Sequence, residues 1–401
     1  MKVRLNDTAW ILLSLYIPSA LMSSGQGMVF PTIPVMATSF GVSVGVAAQV
    51  VTAGAVGRLA FLIPGGVMVD RLGRKPAMVI GSTMIAFGAV LTAVTPVFGL
   101  VLLAQFLSGA GGTLWQMARE IAAIDVVRAD QRGRVMSGFM GMSSVGITLG
   151  PVLGGVLTDA FNFRAVFWVY TLLTIATLLV SLSIRETRAF RPARPGRIFD
   201  FGRLSEIEPY YRPTFIVLVF NTFTAMMRGT LINSILPLFV AAQLGFSTTE
   251  VGTLFGVYGL VNVLMIFPTG IISDKIGRKA AVVPSTIVAT VAFVFFPFAR
   301  DFPQLVGLCA LVGIATGLAL GTMATYTYDV IPEAARGRLQ AMRRGLAEGG
   351  ALGGPLIGGI VADAYTPGAA FLFFVPLQLT SALLMSFVAK ESLRRRVLEA
   401  A

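Results

Sequence analysis

Ionisable residues interrupt four apolar runs of this sequence. Arg58 stands in VGRLAFLIPGG, Arg119 in LWQMAREIAAI, Arg228 in TAMMRGTLIN and Glu348 in RGLAEGGALGG. An arginine among apolar neighbours can hold a carboxylate or another anion, or organise a polar network; a glutamate there can carry a proton or pair with an arginine. Glu120, beside Arg119, is close enough to the cytoplasmic end of its run to pair with Arg119's surroundings and does not read as a central carrier site. Other chemistry has little to draw on. There is no histidine, and Cys309 is the sole cysteine, inside an apolar segment, so it permits no intrachain disulfide and leaves zinc or haem almost without ligands. No Gly-x-Ser-x-Gly elbow exists for an acyl-transfer nucleophile. No cofactor is expected, and an enzyme is the least supported class.

The elements that carry these charges are membrane spans. The chain has 401 residues, of which 55% are hydrophobic and only 12% charged, about half the usual charged share of a soluble domain. Apolar runs long enough to cross about 30 Å of hydrocarbon recur throughout. They fall near 9–36, 44–69, 77–95, 97–125, 134–158 and 164–184, then 214–241, 247–273, 280–299, 303–328, 339–362 and 368–389. The ten-residue alternating segments of a β-barrel are absent. No cleavable signal peptide is evident, since the first run continues to Val35 without a small-x-small cleavage pattern.

A net charge of +12 is compatible with nucleic-acid binding, but all of the 31 basic residues except Arg58, Arg119, Arg164, Arg228 and Arg300 fall on one alternating set of connections or at the termini. That asymmetry places both termini in the cytoplasm. The basic connection near 185–213, with RAFRPARPGR, is explained by attraction to anionic lipids. The expected organisation is all-α and polytopic: a six-helix half at 1–184, the linker at 185–213, a second six-helix half at 214–389 and a cytoplasmic tail at 390–401.

The two halves are copies. GGVMVDRLGRK at 65–75 pairs with TGIISDKIGRK at 269–279, RGR at 132–134 with RGR at 336–338, and GITLGPVLGG at 146–155 with GALGGPLIGG at 350–359. Asp125 pairs with Asp329, and Asp159 with Asp363. Every pair is 204 residues apart without a gap, an offset that contains an even number of spans. The copies therefore share one topology about an axis along the membrane normal, which suits alternating access by rocking.

These motifs resemble the major facilitator superfamily over essentially the whole chain, and its twelve-span drug/proton antiporter branch in particular. Gly66, Asp70, Arg71, Gly73, Arg74 and Lys75 match the signature between spans two and three; Gly270, Asp274, Gly277, Arg278 and Lys279 form a weaker copy. Gly66 and Gly270 would allow close helix approach, and Gly73 and Gly277 a tight turn. The resemblance implies that the charged loop latches the outward-facing state, with Arg119, Arg343 and Arg344 as partners for Asp70; the plainer alternative is a topological anchor. Gly146, Gly150, Pro151, Gly154 and Gly155 match the span-five motif of the antiporters, where small residues pack closely and proline bends the helix. Many proton-coupled relatives start span four with R-F-L-x-G; here QFLSG puts Gln105 in the arginine's place, so the charge has moved elsewhere or the coupling differs.

Arg58 lies roughly 18 Å from the charged end of span two and Glu348 roughly 13 Å from the same side of span eleven. The resemblance makes those spans neighbours, so an Arg58–Glu348 pair is geometrically possible, as are snorkelling of Arg58 or a static bridge. Glu348 could carry protons only if the pair separates during the cycle. The repeat counterparts are Asn262 and Ser144, so neither charge is demanded by the architecture. Arg228, beside Asn221, Thr224, Thr230 and Asn233, favours an anionic cargo or organises a polar network. The resemblance makes spans one and seven cavity-lining, which selects Gln26, Arg228 and Asn233 for cargo contact; Trp115 and Tyr258 could line the cavity or pack elsewhere. Asp125 and Asp329, ahead of the RGR copies, read as a structural clasp. The expected function is proton-coupled efflux of small hydrophobic or amphiphilic compounds by a monomer in a bacterial inner membrane. The alternatives are an importer or facilitator of an organic anion or metabolite and, from another class, a non-transporting sensor or scaffold.

Overall fold

The computed structural model describes residues 16–126, 132–183, 205–332 and 335–393, with the side chains of 124–137, 337 and 338 left aside. The start of the first span, most of the basic linker, the end of the tail, and the side chains of Asp125 and of the first RGR lie outside what is described. The described chain is helical. Its helices are α1 Ile17–Met28, α2 Ile33–Phe40, α3 Val44–Ala60, α4 Leu62–Leu72, α5 Arg74–Val94, α6 Phe98–Val126, α7 Arg132–Ala160 and α8 Phe163–Ser183. Then follow α9 Arg212–Pro237, α10 Thr248–Lys275, α11 Arg278–Phe295, α12 Phe302–Ala319, α13 Thr322–Val330, α14 Arg336–Ala364 and α15 Pro367–Phe387.

Among the described residues, ten stretches are long and apolar enough to cross a membrane, and α3 with α4, bent by 48° at Phe61, makes an eleventh. Pro64, in the first turn of α4, lacks the N–H that would continue the ladder, and its ring crowds the preceding turn. The first span is divided among α1, a 3₁₀ turn at Phe30–Thr32 and α2, where Pro31 and Pro34 interrupt the ladder.

The repeat is visible in the helix register. Helices α3, α5, α6, α7 and α8 begin at Val44, Arg74, Phe98, Arg132 and Phe163; α10, α11, α12, α14 and α15 begin 204 residues later at Thr248, Arg278, Phe302, Arg336 and Pro367. Gly73 (φ 105°) and Gly277 (φ 139°) make the same turn ahead of α5 and α11, in a conformation that L side chains rarely adopt.

Two compact units divide the chain: Met1–Arg194 with Val240–Gly256, and Pro195–Phe239 with Val257–Ala401. The division departs from the sequence halves at Val240–Gly256, whose Thr248 and Gly252 pack against α7. The first unit's core gathers Met36, Val69, Met78, Ile85, Leu114, Trp115 and Phe167; the second gathers Phe215, Leu218, Tyr326, Val330, Leu339 and Met385. Lipid tails are as apolar as these side chains, so close van der Waals packing, which small residues permit, does much of the holding.

Candidate functional site

The span-five motif shows how small residues position the site. A Cβ at Gly146, Gly150 or Gly154 would run into the backbone of Ala20, Ser24 or Met28, so one face of α7 lies directly on α1. The other face meets α10: a Cβ at Gly155 would strike the Thr248 carbonyl, and one at Gly252 the Pro151 carbonyl. Helix α7 runs on through Pro151. Gly66 and Gly270 differ from expectation. A Cβ at either meets open space, so no close helix approach is made there.

At the end of α7, Asp159 caps α10. Its Oδ1 accepts from the Thr248 amide at 3.2 Å and hydroxyl at 2.5 Å, and its Oδ2 from the Thr249 amide at 2.7 Å. Ser247 and Glu250 add a reciprocal capping box, with the Ser247 amide donating to Glu250 at 2.8 Å and the Glu250 amide to Ser247 Oγ at 3.2 Å. The box is legible in STTE at 247–250. Asp159 is the residue that sequence reasoning left without a role, because only its recurrence at Asp363 stood out.

Within the first unit, a cavity of about 100 Å³ is lined by Gln26, Val29 and Phe30 of the first span, Val50, Val51, Gly54 and Arg58 of α3, Gln105, Ser108 and Gly109 of α6, and Tyr170 of α8. Gln26 and Arg58, expected at cargo and coupling positions, thus line one cavity together with Gln105. The α3 and α6 backbones touch: a Cβ at Gly57 would collide with the Phe106 carbonyl, and one at Gly109 with the Gly54 carbonyl. The Arg58 carbonyl accepts from Thr113 Oγ1 at 3.4 Å. The Tyr170 hydroxyl is buried and has no hydrogen-bond partner among the described residues.

Two expected site residues have these surroundings. Arg119, proposed as a partner of Asp70, instead lies buried between the rings of Trp115 (4.5 Å) and Phe139 (4.4 Å) and donates to Ser19 Oγ at 2.6 Å. Asp70 is exposed. A guanidinium between two aromatic faces is held by its quadrupolar neighbours and needs no carboxylate. Trp115, for which cavity lining and packing elsewhere were both open, packs in the first unit's core, stacked on Arg119 and pressed against Gly81.

The second unit holds the charge clasp. Arg278, 1% exposed, pairs with Asp274 at 2.7 Å and Asp329 at 3.0 Å and donates to the Ser273 carbonyl at 2.7 Å. Glu391 accepts from the first amides of α11, Arg278 at 2.9 Å and Lys279 at 3.0 Å, while Lys279 Nζ donates to the carbonyls of Ser386 and Ala389. Asp329 sits at the centre and also accepts from Ser392 Oγ. The weaker signature copy therefore ties the ends of α10, α13 and α15 together inside one unit. Arg343 donates to Gln340 at 3.0 Å and Thr222 at 2.9 Å.

Arg228, on α9, is 4% exposed, yet no hydrogen bond or ion pair engages it among the described residues. Tyr258, half-buried, shares a 3.5 Å contact with Thr316. Asn221 and Thr224 are spoken for: both reach Ser381 Oγ, at 2.9 and 3.2 Å, and Gln378 donates to the Thr224 carbonyl at 3.0 Å. Asn233 is half-buried on the same helix, and Glu348 half-buried on α14.

The sequence profile of the Major Facilitator Superfamily matches residues 15–216 and 218–400. The chain belongs to this superfamily. It is a multi-pass secondary active transporter of small molecules, not an enzyme. Among curated proteins it is 27% identical to "Tetracycline resistance protein, class B" of Escherichia coli over 86% of this chain and 87% of that one. It is 29% identical to "Multidrug resistance protein MdtH" of Cronobacter sakazakii, over 72% and 71%. Among solved structures, the D-xylose-proton symporter superposes with a TM-score of 0.77 at 15% identity, covering 96% of this chain and 98% of that one. A bacterial homologue of the human lysosomal transporter Spinster gives 0.74 at 15% identity, covering 95% of each. At such identities these structures speak to the fold alone.

Proposed function

We propose that this superfamily member exports small hydrophobic or amphiphilic compounds in exchange for protons, working as a monomer in a bacterial inner membrane with both termini in the cytoplasm. The observation that carries the reading is similarity to a tetracycline resistance protein along nearly the whole of both chains. The two-faced packing of the span-five glycines on α1 and α10 supports it, because a seam with no side chains between backbones can slide or part as a unit. Gln26, Arg228, Asn233 and Tyr258 contact cargo in this proposal. Arg58 and Glu348 form the pair that separates to admit a proton. The loop from Gly66 through Asp70, Arg71, Gly73 and Arg74 to Lys75, with Asp274, Arg278 and Arg343 in the second half, steadies one conformational state, and the basic linker rests on anionic lipids.

The test is transport in proteoliposomes under an imposed pH gradient, with a lipophilic cation panel beside an organic-anion panel. Cargo movement that ignores the gradient refutes the antiport reading. For the pair, E348Q is expected to uncouple transport from protons, and full coupling in E348Q removes Glu348 from the mechanism. A second reading, import or facilitated passage of an organic anion, is favoured by one observation: the buried guanidinium of Arg228 has no partner among the described residues.

A further inference from the structure

We propose that the cavity of the first unit is a subsite for a neutral arm of the cargo that both donates and accepts hydrogen bonds, such as a carboxamide, and that Gln105 selects it. The inference rests on the transport reading above and adds to it the chemical group that is recognised. Gln105 on α6 and Gln26 on the first span line the same cavity. Gln105 is 9% exposed, Gln26 is exposed, and no hydrogen bond engages either side-chain amide among the described residues. Gln26 leans toward the α6 face that carries Gln105: its Nε2 lies 3.4 Å from where a Cβ of Gly112 would stand, about two turns along that face. Each amide is at once a donor and an acceptor, so the pair matches a group of the same double character. A carboxylate only accepts and an ammonium only donates. Either would leave part of both amides unpaired and bring a charge that two neutral side chains cannot offset. Arg58 also lines the cavity, and the pairing proposed above assigns its charge to Glu348. Val29, Phe30, Val50 and Val51 give the cavity an apolar side. An apolar cavity of roughly 150 Å³ takes benzene. At about 100 Å³ this one takes a short branched chain with one polar end, so one arm of a larger cargo enters and the rest stays outside.

The repeat shows that the two amides are not a requirement of the fold. At an offset of 204, Gln26 becomes Thr230, Gln105 becomes Cys309 and Gly54 becomes Tyr258. Thr230 Oγ1 bonds back to the Met226 and Met227 carbonyls at 3.1 and 3.2 Å, and Cys309 is 1% exposed. The second unit thus closes one polar group on its own helix, fills the other place with a small buried thiol, and puts an aromatic ring where the first has glycine. In the first unit a Cβ at Gly54 would meet only Arg58 Nη1 and the Gln105 carbonyl, each at 3.8 Å, so the space beside Gln105 is kept by the absence of a side chain. One turn further along each helix, Gly57 and Gly109 hold α3 and α6 backbone to backbone, which fixes the wall on which Gln105 stands. A buried amide without a partner costs free energy that a matching guest recovers. The first unit alone carries that cost, at the place where it also keeps room for the guest.

The test uses the purified full chain in nanodiscs and three probes of equal size, isobutyramide, isobutyrate and methyl isopropyl ketone, with binding followed by ligand-observed NMR. Isobutyramide is expected to bind saturably and about fivefold more tightly than the ketone, which only accepts; that is the weight of one neutral hydrogen bond. It should also bind more tightly than isobutyrate. Q105L, which removes the amide and keeps its bulk, should bring isobutyramide down to the level of the ketone at an unchanged melting temperature. Q26L, at an exposed position, should weaken isobutyramide in the same way and serves where Q105L fails to fold. G54L, which fills the space without removing a polar group, should abolish saturable binding of all three probes. Binding of isobutyrate or the ketone as tight as that of isobutyramide, or undiminished isobutyramide binding by folded Q105L or G54L, overturns the subsite. Export is measured in parallel with a lipophilic cation in proteoliposomes. Gradient-driven cation export without isobutyramide binding refutes the subsite alone, whereas isobutyramide binding without gradient-driven transport refutes the export reading alone.

Discussion

Asp159 makes the sharpest prediction. Its carboxylate accepts three hydrogen bonds from the first two residues of α10, at 3.2, 2.5 and 2.7 Å, and places a negative charge at a helix N-terminus. An N-cap carboxylate contributes about 0.5–2 kcal/mol and a charge at the helix end about 0.3–1 kcal/mol. Asp159 is exposed, so solvent screening trims the electrostatic share. Removing the side chain in D159A should therefore weaken the α7–α10 contact by about 2 kcal/mol, roughly a thirtyfold shift toward the parted arrangement. D159N keeps the shape and one acceptor but turns the other oxygen into a donor facing an amide, and should fall between wild type and D159A. Spin labels on F161C and Q243C in a C309S background report the separation of the two helix ends within the first unit. The expected result is a longer-distance population that grows from wild type through D159N to D159A. If both variants leave the distance distribution and the melting temperature unchanged, the cap does not hold α10 on α7.

Three further outcomes follow from the same geometry. G150A and G154A, whose new methyl groups would collide with the Ser24 and Met28 backbones, should each cost about 1–3 kcal/mol in a thermal or denaturant assay, whereas G66A and G270A, facing open space, should stay within about 0.5 kcal/mol. R278A should destabilise the second unit by about 3–5 kcal/mol because it leaves Asp329, whose side chain is 8% exposed, without its arginine; D274N, at a carboxylate 75% exposed, should cost far less. R228M removes a buried guanidinium that has no partner among the described residues, so the melting temperature should hold or rise while transport in proteoliposomes collapses. Retained transport in R228M would remove Arg228 from the cargo site.

Much of the fold is legible in the amino-acid sequence. Apolar runs of membrane length, prolines and glycines at their breaks, and the 204-residue offset carry over into helix starts that keep that spacing from Val44 and Thr248 to Phe163 and Pro367. These features are local or periodic, and the membrane allows few ways to satisfy a backbone in hydrocarbon. The Gly73 and Gly277 turns are legible for the same reason, since only glycine takes that backbone conformation freely. Partners were not legible. Arg119 and Arg278 are both arginines near the ends of apolar runs, yet one is enclosed by Trp115 and Phe139 and the other by Asp274 and Asp329. Each has one partner a helical turn before it, Trp115 or Asp274, but the second, Phe139 or Asp329, comes from another helix that only the packing brings near.

The motif glycines divide in the same way: Gly150 lies on a neighbouring backbone, while Gly66 faces open space, though both stand in equally conspicuous signatures. By itself the sequence determined that this is a polytopic helical chain made of two copies, where its helices start, and which few charges stand inside apolar runs. Only the tertiary structure brought Arg58, Gln105 and Gln26 to one cavity, capped α10 with Asp159 and left Arg228 without a partner among the described residues. The physical reason is that helix formation and membrane burial are set by neighbours along the chain, whereas the pairing of a buried charge is set by whichever helix the packing places against it.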